Sequence, residues 1–363
     1  MDRPPVRLIV LFGGQSAEHE VSCVSAYHVL RAIDPARYDI EAIGITRDGT
    51  WIRAEDAVAE LTAPGRHLPA AAPDRLEPVG EAVEPMPAIV PTVEDQRPVV
   101  VLPLLHGTRG EDGTMQGLLE LADVAFVGSG VLGSALSMDK LKAKDVLAGN
   151  GIPQVPWLGL RDVELADAPA RVRDAALRYP LFVKPANLGS SVGVSRVADS
   201  AELAQACAVA AEYDEWVVVE QGVTAREIEV GVIGNAHPRA SVPGEIRPTH
   251  DFYDYDDKYV DGAADSIIPA DLPDDVAEEI QAMAVRAFTA LRCEGLARVD
   301  FFYADSTGEI FVNEVNTMPG FTPISMFPKV WEGSGLSYSA LIDELVELAL
   351  ERRERRSRLS TKP

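Results

Sequence analysis

ARVDFFYAD (residues 297–305) and GEIFVNEVNTMPG (308–320) flank the short turn around Ser306 and Thr307. Apolar and polar residues alternate in both stretches, and Asp305 to Gly308 has turn chemistry, so the pair predicts a β-hairpin. Folding back at that turn brings Asp300 beside Glu314. Asn316 projects from the same face as Glu314, because strand side chains repeat every second residue. Two carboxylates and one amide oxygen converge, with no His or Cys among them. An all-oxygen set suits a hard cation, and Mg²⁺ in such a place usually has substrate phosphates completing its shell. The hairpin therefore predicts a site for metal-bound nucleotide.

A chain of 363 residues is too long for one ordinary core and predicts two or three domains. Its 33 basic and 57 acidic residues give a net charge of −24, which disfavours nucleic acid and anionic membrane as partners. Cys23, Cys207 and Cys293 are far apart, in no metal-ligand spacing, and read as buried reduced thiols. MDRPPVRLIV runs straight into a strand-like segment, without the apolar core of a signal peptide. No apolar stretch approaches the roughly 20 residues of a membrane span. The expectation is a cytoplasmic protein. Only seven lysines are present, and Lys140, Lys142, Lys144, Lys184 and Lys258 fall in segments that other features mark as nucleotide-facing.

The predicted fold class is α/β: a small parallel, Rossmann-like N-terminal domain over 1–133, followed by two α+β units over 134–222 and 223–363. VRLIVLFGG (6–14), a helix and YDIEAIGIT open the first domain as β-α-β. Residues 53–98, rich in Pro, Ala and Glu, predict an exposed excursion with weak strands. VVVLPLLHG and VAFVGSG supply further strands. Ser134 to Ala148 predicts one helix, and the charge run ERRERRSRLSTKP at the end predicts a frayed tail.

The loop ANLGSSVG (186–193) lies between two strands, and its small residues let backbone N–H groups turn toward an anion. Ser190 and Ser191 add hydroxyls, and Lys184 adds charge from an otherwise apolar strand, which predicts phosphate binding. Gly189 to Gly193 also matches a nucleophile elbow, but the following VSRVADS reads as a strand where an elbow needs a helix. Gly128 to Gly133 spells G-x-G-x-x-G, the fingerprint of a nicotinamide oxidoreductase. It ends the α/β unit instead of opening it and lacks the acidic ribose ligand about 20 residues on. Lys140 and Lys144 share one helix face. Glu18, in GGQSAEHEVS (13–22), and His106 lie at one sheet edge, where open α/β sheets bind ligands. FYDYDDKYVDG (252–262) is too polar for core and reads as a lid within 248–262. Arg298 shares the strand face of Asp300.

GGQSAEHEVS, LLHGTRGEDGTMQGLLE, GSALSMDKLKAKDVL, FVKPANLGSSVGVS, REIEVGV, FYDYDDKYVDG, ARVDFF and NEVNTMPGFTPISMFP, in this order, resemble the D-alanine–D-alanine ligases of the ATP-grasp superfamily. The resemblance implies two ATP-grasp units clamping ATP, and ligation of two D-alanine molecules through an acyl phosphate for peptidoglycan precursor synthesis. Lys140 and Lys184 would bind ATP phosphates, with Ser190 and Ser191 in the loop closing over them. Glu220, Val223 and Glu227 would hold adenine and ribose, and Tyr253 and Lys258 would reach the nucleotide from the lid. Asp300, Glu314 and Asn316 would carry two Mg²⁺ ions, with Mn²⁺ able to replace them. Glu18 would take the ammonium of the first D-alanine, linked to Ser190 and Tyr259, with His106 near its carboxylate. Ser325 and the Met326 backbone would receive the second carboxylate, and Arg298 and the Gly320 N–H would face the oxyanion. A homodimer is expected. Where many members carry Lys, this chain has Gln221, which puts a side-chain contact to the base there in question. The same scaffold also makes D-alanyl-D-lactate and D-alanyl-D-serine, and Lys258-Tyr259 is the pattern of the dipeptide makers.

Overall fold

The computed structural model of the protein describes residues 5–62, 75–91, 97–247 and 265–360. The first sheet contains β1 (Val6–Gly13), β2 (Tyr38–Ile45), β3 (Trp51–Arg53), β4 (Glu81–Ala82), β5 (Val99–Pro103) and β6 (Ala125–Phe126), in the order β4-β3-β2-β1-β5-β6. β1 lies between β2 and β5 and is parallel to both. Covered on both faces, it needs an apolar centre, and Leu8 to Phe12 are fully buried, while Arg7 near its start is paired with Glu41. β3 and β4 add antiparallel edges. The segment expected to be an exposed excursion therefore contributes a sheet edge, and it buries Leu76, Ala88 and Ile89.

A second, antiparallel sheet joins β7 (Trp157–Arg161), β8 (Leu181–Pro185), β9 (Ser195–Val197) and β10 (Trp216–Gln221) in the order β7-β10-β8-β9. β9 directly follows the glycine-serine loop with no helix between, so the nucleophile-elbow reading has no structural basis. The third sheet contains β11 (Arg226–Gly234), β12 (Arg239–Ala240), β13 (Gly244–Arg247), β14 (Asp265–Ile267), β15 (Gly295–Ala304) and β16 (Glu309–Asn316). Its order is β14-β13-β11-β15-β16, with β12 paired to β11. The expected hairpin is β15–β16. Asp300 pairs with Glu314 and Arg298 with Asn316, and a bulge after Asp300 leaves Asn313 as the extra residue.

Two local expectations are corrected. Residues 134–148 do not form one helix: Val131–Met138 and Lys140–Gly149 are separated by extended Asp139, whose carboxylate accepts from Lys142 N at 3.0 Å. That capping bond satisfies a free N–H and restarts the helix at Lys140. Nor does the tail fray where its charge run begins, because the helix Tyr338–Ser357 carries Glu351 to Ser357 of that run. The buried Arg352 guanidinium stacks 3.9 Å from the Phe126 ring centroid and donates to the Phe126 and Gly128 carbonyls. Arg353 pairs with Asp123, Arg355 with Glu294 and Arg356 with Glu120. A basic run reads as solvated only when its partners, distant in sequence, are not in view.

The helix Tyr338–Ser357 buries Leu341, Leu345 and Val346 in one core with Leu8, Val10 and Val100 of the first sheet and Phe327 of the last unit. The chain's two ends thus share a core, while the β7–β10 sheet has its own around Leu160, Val183 and Val219. Gly128 to Gly133 takes part in the first junction. Gly295 has φ +74°, and a Cβ there would meet Gly128 N at 2.9 Å. Ser129 Oγ accepts from Glu294 N at 3.2 Å. The glycines of the G-x-G-x-x-G run permit this close approach between backbones. Among the described residues, no helix is long and apolar enough to cross a membrane.

Gly295→Ala should therefore lower stability by about 3 kcal/mol, combining left-handed strain with overpacking. Gly335, at φ +89° with open space beside it, is the control. Gly335→Ala should cost only about 1 kcal/mol. Urea unfolding of both variants checks the difference, and equal losses would remove the close-approach argument.

Candidate active site

A cavity of about 480 Å³ opens between the second and third sheets. Lys184 and Glu220 reach it from neighbouring strands: Lys184 pairs with Val218 and Phe182 with Glu220, so the two side chains are diagonal neighbours on one face. Lys184 Nζ lies 2.8 Å from Glu220 Oε2, and Lys144 Nζ lies 2.9 Å from Glu220 Oε1. The Lys144 contact is an ion pair bent away from hydrogen-bond geometry. Burial opposes ionisation of Glu220, but Lys144 and Lys184 overcome it and hold the carboxyl down at about 2. Sequence reasoning placed Lys144 only as the helical neighbour of Lys140. Its burial at 2 % exposure was legible, if at all, only in the scarcity of lysine.

Lys140 begins its helix beside the glycine-serine loop and donates to the Leu188 carbonyl at 2.6 Å, with Glu314 Oε2 at 3.9 Å. Burial pulls its ammonium below the usual lysine range, while Glu314 works against that. On the hairpin, Arg298 grips Asp300 through two bonds of 2.7 Å. Its Nε also lies 2.9 Å from Glu229 Oε2. Burial disfavours the guanidinium charge, but Asp300 and Glu229 keep it firmly ionised. Asn316 Nδ2 donates to Asp300 Oδ2 at 2.9 Å. The structure thus brings Asp300, Glu314, Asn316 and Arg298 together. Glu229 was overlooked, although the spacing of Glu227 and Glu229 in REIEV places both on one strand face.

Ser190 and Ser191 have φ of 53° and 57°, two successive non-glycine residues in the left-handed region. Such strain is kept where a loop must present particular atoms. Ser190 Oγ donates to Glu18 Oε1 at 2.5 Å, joining the loop to the first sheet. Gly107, at φ +73°, sits against the same carboxylate, and a Cβ there would lie 2.8 Å from Glu18 Oε2. His106 Nδ1–H donates to the Met318 carbonyl at 2.9 Å, and its buried Nε2 has no partner among the described residues. Burial lowers the affinity of His106 for a second proton, with Glu18 opposing. Half-buried Glu111, another residue overlooked in the sequence, accepts from Gly107 N at 2.8 Å and Met318 N at 3.2 Å. Burial and the nearby Glu18 push its carboxyl up to about 8.

Val223 and Glu227 line the cavity. Gln221 Oε1 accepts from Arg178 N at 3.0 Å, so that side chain is engaged at the cavity wall. Ser325 stands at the N-cap position of the helix Met326–Gly333, with its hydroxyl sharing a 2.8 Å hydrogen bond with Thr322 instead of the helix, and Gly320 lies close enough that a Cβ would meet Ser325 Oγ at 3.0 Å. Tyr253, Lys258 and Tyr259 lie outside the described residues.

The D-ala D-ala ligase N-terminus family matches residues 7–129, and the D-ala D-ala ligase C-terminus family matches residues 146–347. A D-alanine–D-alanine ligase of Deinococcus radiodurans is 49% identical over 96% of this chain and 99% of its own length. One from Acetivibrio thermocellus is 44% identical over 95% and 96%. The solved D-alanine-D-alanine ligase from Coxiella burnetii superposes with a TM-score of 0.81 at 37% identity, covering 97% of this chain and 96% of that one. The VanG D-Ala:D-Ser ligase from Enterococcus faecalis superposes at 0.79 with 35% identity, over 95% and 100%. By both halves of its length, this chain belongs to the D-alanine–D-alanine ligase family.

Proposed function

We propose that the protein joins two D-alanine molecules at the expense of ATP, within the machinery that makes cell-wall precursors. The observation that carries this reading is the meeting of three groups around one cavity. Lys140, Lys184 and Arg298 supply positive charge, the Asp300–Glu314 pair supplies hard oxygens, and Ser190 on the cavity wall bonds to Glu18. A carboxylate is a poor electrophile. Transfer of the γ-phosphoryl group of ATP to the first D-alanine's carboxylate gives an acyl phosphate and ADP. The second D-alanine's amine then attacks the acyl carbon, loses a proton and expels inorganic phosphate.

Each step needs charge placed in advance. Lys140 and Lys184 face the polyphosphate and lower the cost of moving negative charge between its oxygens. Glu220, Val223 and Glu227 hold the base and ribose, and Ser190 and Ser191 bring the loop over the phosphates. Glu18 receives the first ammonium, and His106, neutral with Nε2 available, lies toward the first carboxylate. Arg298 and the Gly320 N–H face the tetrahedral oxyanion, each donor contributing roughly 3 kcal/mol. Ser325 and the Met326 N–H, at a helix start, receive the second carboxylate.

Asp300, Glu314 and Asn316 fit divalent cations. All three offer oxygen, the carboxylates face each other across the hairpin, and Asp300 already carries cationic Arg298, showing that its environment supports positive charge. The donor set of this proposal is the carboxylate pair plus the amide oxygen of Asn316. Bound Mg²⁺ or Mn²⁺ would neutralise phosphate charge and align the transferring group. We further propose a homodimer.

A phosphate-release assay with D-alanine, L-alanine, D-serine and D-lactate tests this function. D-alanine alone should give ADP and phosphate in equal amounts, and turnover only with D-serine or D-lactate as second substrate would favour the VanG-like reading. Asp300→Asn and Glu314→Gln should each lower kcat by at least about a thousandfold, since transition-state charge stabilisation is lost. Ordinary turnover in either would contradict the metal assignment. Glu111 has a pH signature. Its carboxyl holds a proton more tightly folded than unfolded, so stability is full at low pH and falls as pH rises from about 4.3 to about 8. In ligand-free protein, Glu111→Gln should flatten that fall in Tm, and an unchanged profile would contradict a raised Glu111.

A further inference from the structure

The Lys144–Glu220–Lys184 group contains more charge than nucleotide contact alone requires. Glu220 is 4 % exposed and Lys144 is 2 % exposed. Each ammonium takes a different oxygen of the same carboxylate, at 2.9 and 2.8 Å. Lys144 comes from the helix Lys140–Gly149, whereas Lys184 and Glu220 come from β8 and β10. Lys184 reaches the cavity wall and Lys144 does not. A buried lysine that touches no ligand surface is costly and rare unless its charge is needed.

The need is visible in the charge count. Glu220 and Lys184 alone would make a neutral pair, and the carboxylate would cancel most of the field that Lys184 exerts on an anion. Adding Lys144 gives the group one net positive charge. Because Glu220 is then compensated from behind, Lys184 is not committed wholly to it. We propose that Lys144 is a positioning residue that neutralises Glu220 and so leaves the charge of Lys184 available to the polyphosphate. This rests on reading the cavity as the nucleotide site. A purely structural ion pair between helix and sheet makes a different prediction, because it depends on contact and not on the sum of charges.

The experiment uses the full chain and inorganic tripolyphosphate, which has no adenine and so ignores any contact of Glu220 with the base. Calorimetric titration compares the parent protein, Lys144→Met and the double variant Lys144→Met/Glu220→Gln, with Tm recorded for each. Lys144→Met leaves a neutral group and should weaken tripolyphosphate binding by about tenfold or more. The double variant restores one net positive charge on Lys184 and should bind within about threefold of the parent. A single variant that binds like the parent, or a double variant no better than the single, overturns the proposal. Should Lys144→Met not fold, the double variant decides alone, since its one remaining charge, Lys184, faces the cavity, and a loss beyond about threefold overturns the proposal. No binding by the parent would remove the nucleotide-site reading itself. Binding by the parent with an unaffected single variant removes only the role of Lys144.

Discussion

An ion removed from water must find an opposite charge, and that constraint organises the centre of this protein. Glu220 is shared by Lys144 and Lys184, and Asp300 is gripped by Arg298, which also reaches Glu229. Lys140 looks toward Glu314. These groups come from a helix and two separate sheets, so their mutual compensation fixes how those elements approach one another. The helix Lys140–Gly149 links the two sheets, with Lys144 paired to Glu220 of one and Lys140 facing Glu314 of the other, and the cavity is lined by charged groups that already have partners. A site of this kind can accept a highly charged ligand at low cost, since its dipoles and ions are already oriented.

The first sheet joins this centre through Glu18. Its link to Ser190 ties the first sheet's strand-to-helix turn to the loop between β8 and β9. The first sheet and the last unit also share a hydrophobic core under the C-terminal helix. The β7–β10 sheet has a core of its own and meets the rest through its loop, through the Lys144–Glu220 ion pair and through a small apolar cluster of Leu141, Ala186 and Val218. Movement of that sheet would open or close the cavity while leaving the shared core intact, which is the mechanical arrangement a clamp over ATP requires.

Much of this was legible in the sequence. Strand periodicity and turn chemistry bring Asp300 near Glu314, but the direct pairing depends on the bulge at Asn313, which the sequence does not announce. Lys184 stood out as a cation in an apolar strand. What stayed hidden depends on distant partners. Arg352 reads as one member of a charge run until Phe126 and the Gly128 carbonyl are placed beside it. Lys144 reads as a solvated helix face until Glu220 arrives from β10. The break at Asp139 was missed because alternating helix formers concealed a local cap. Glu111 gave no signal beyond its place in a glycine-rich loop, and its proton affinity arises from burial near Glu18.

The most direct measurement is a crystal structure with a non-hydrolysable ATP analogue and Mn²⁺, located by its anomalous scattering. The account predicts the triphosphate between Lys140 and Lys184, with manganese bound to Asp300 and Glu314. Triphosphate density elsewhere, or manganese away from the β15–β16 hairpin, would contradict it.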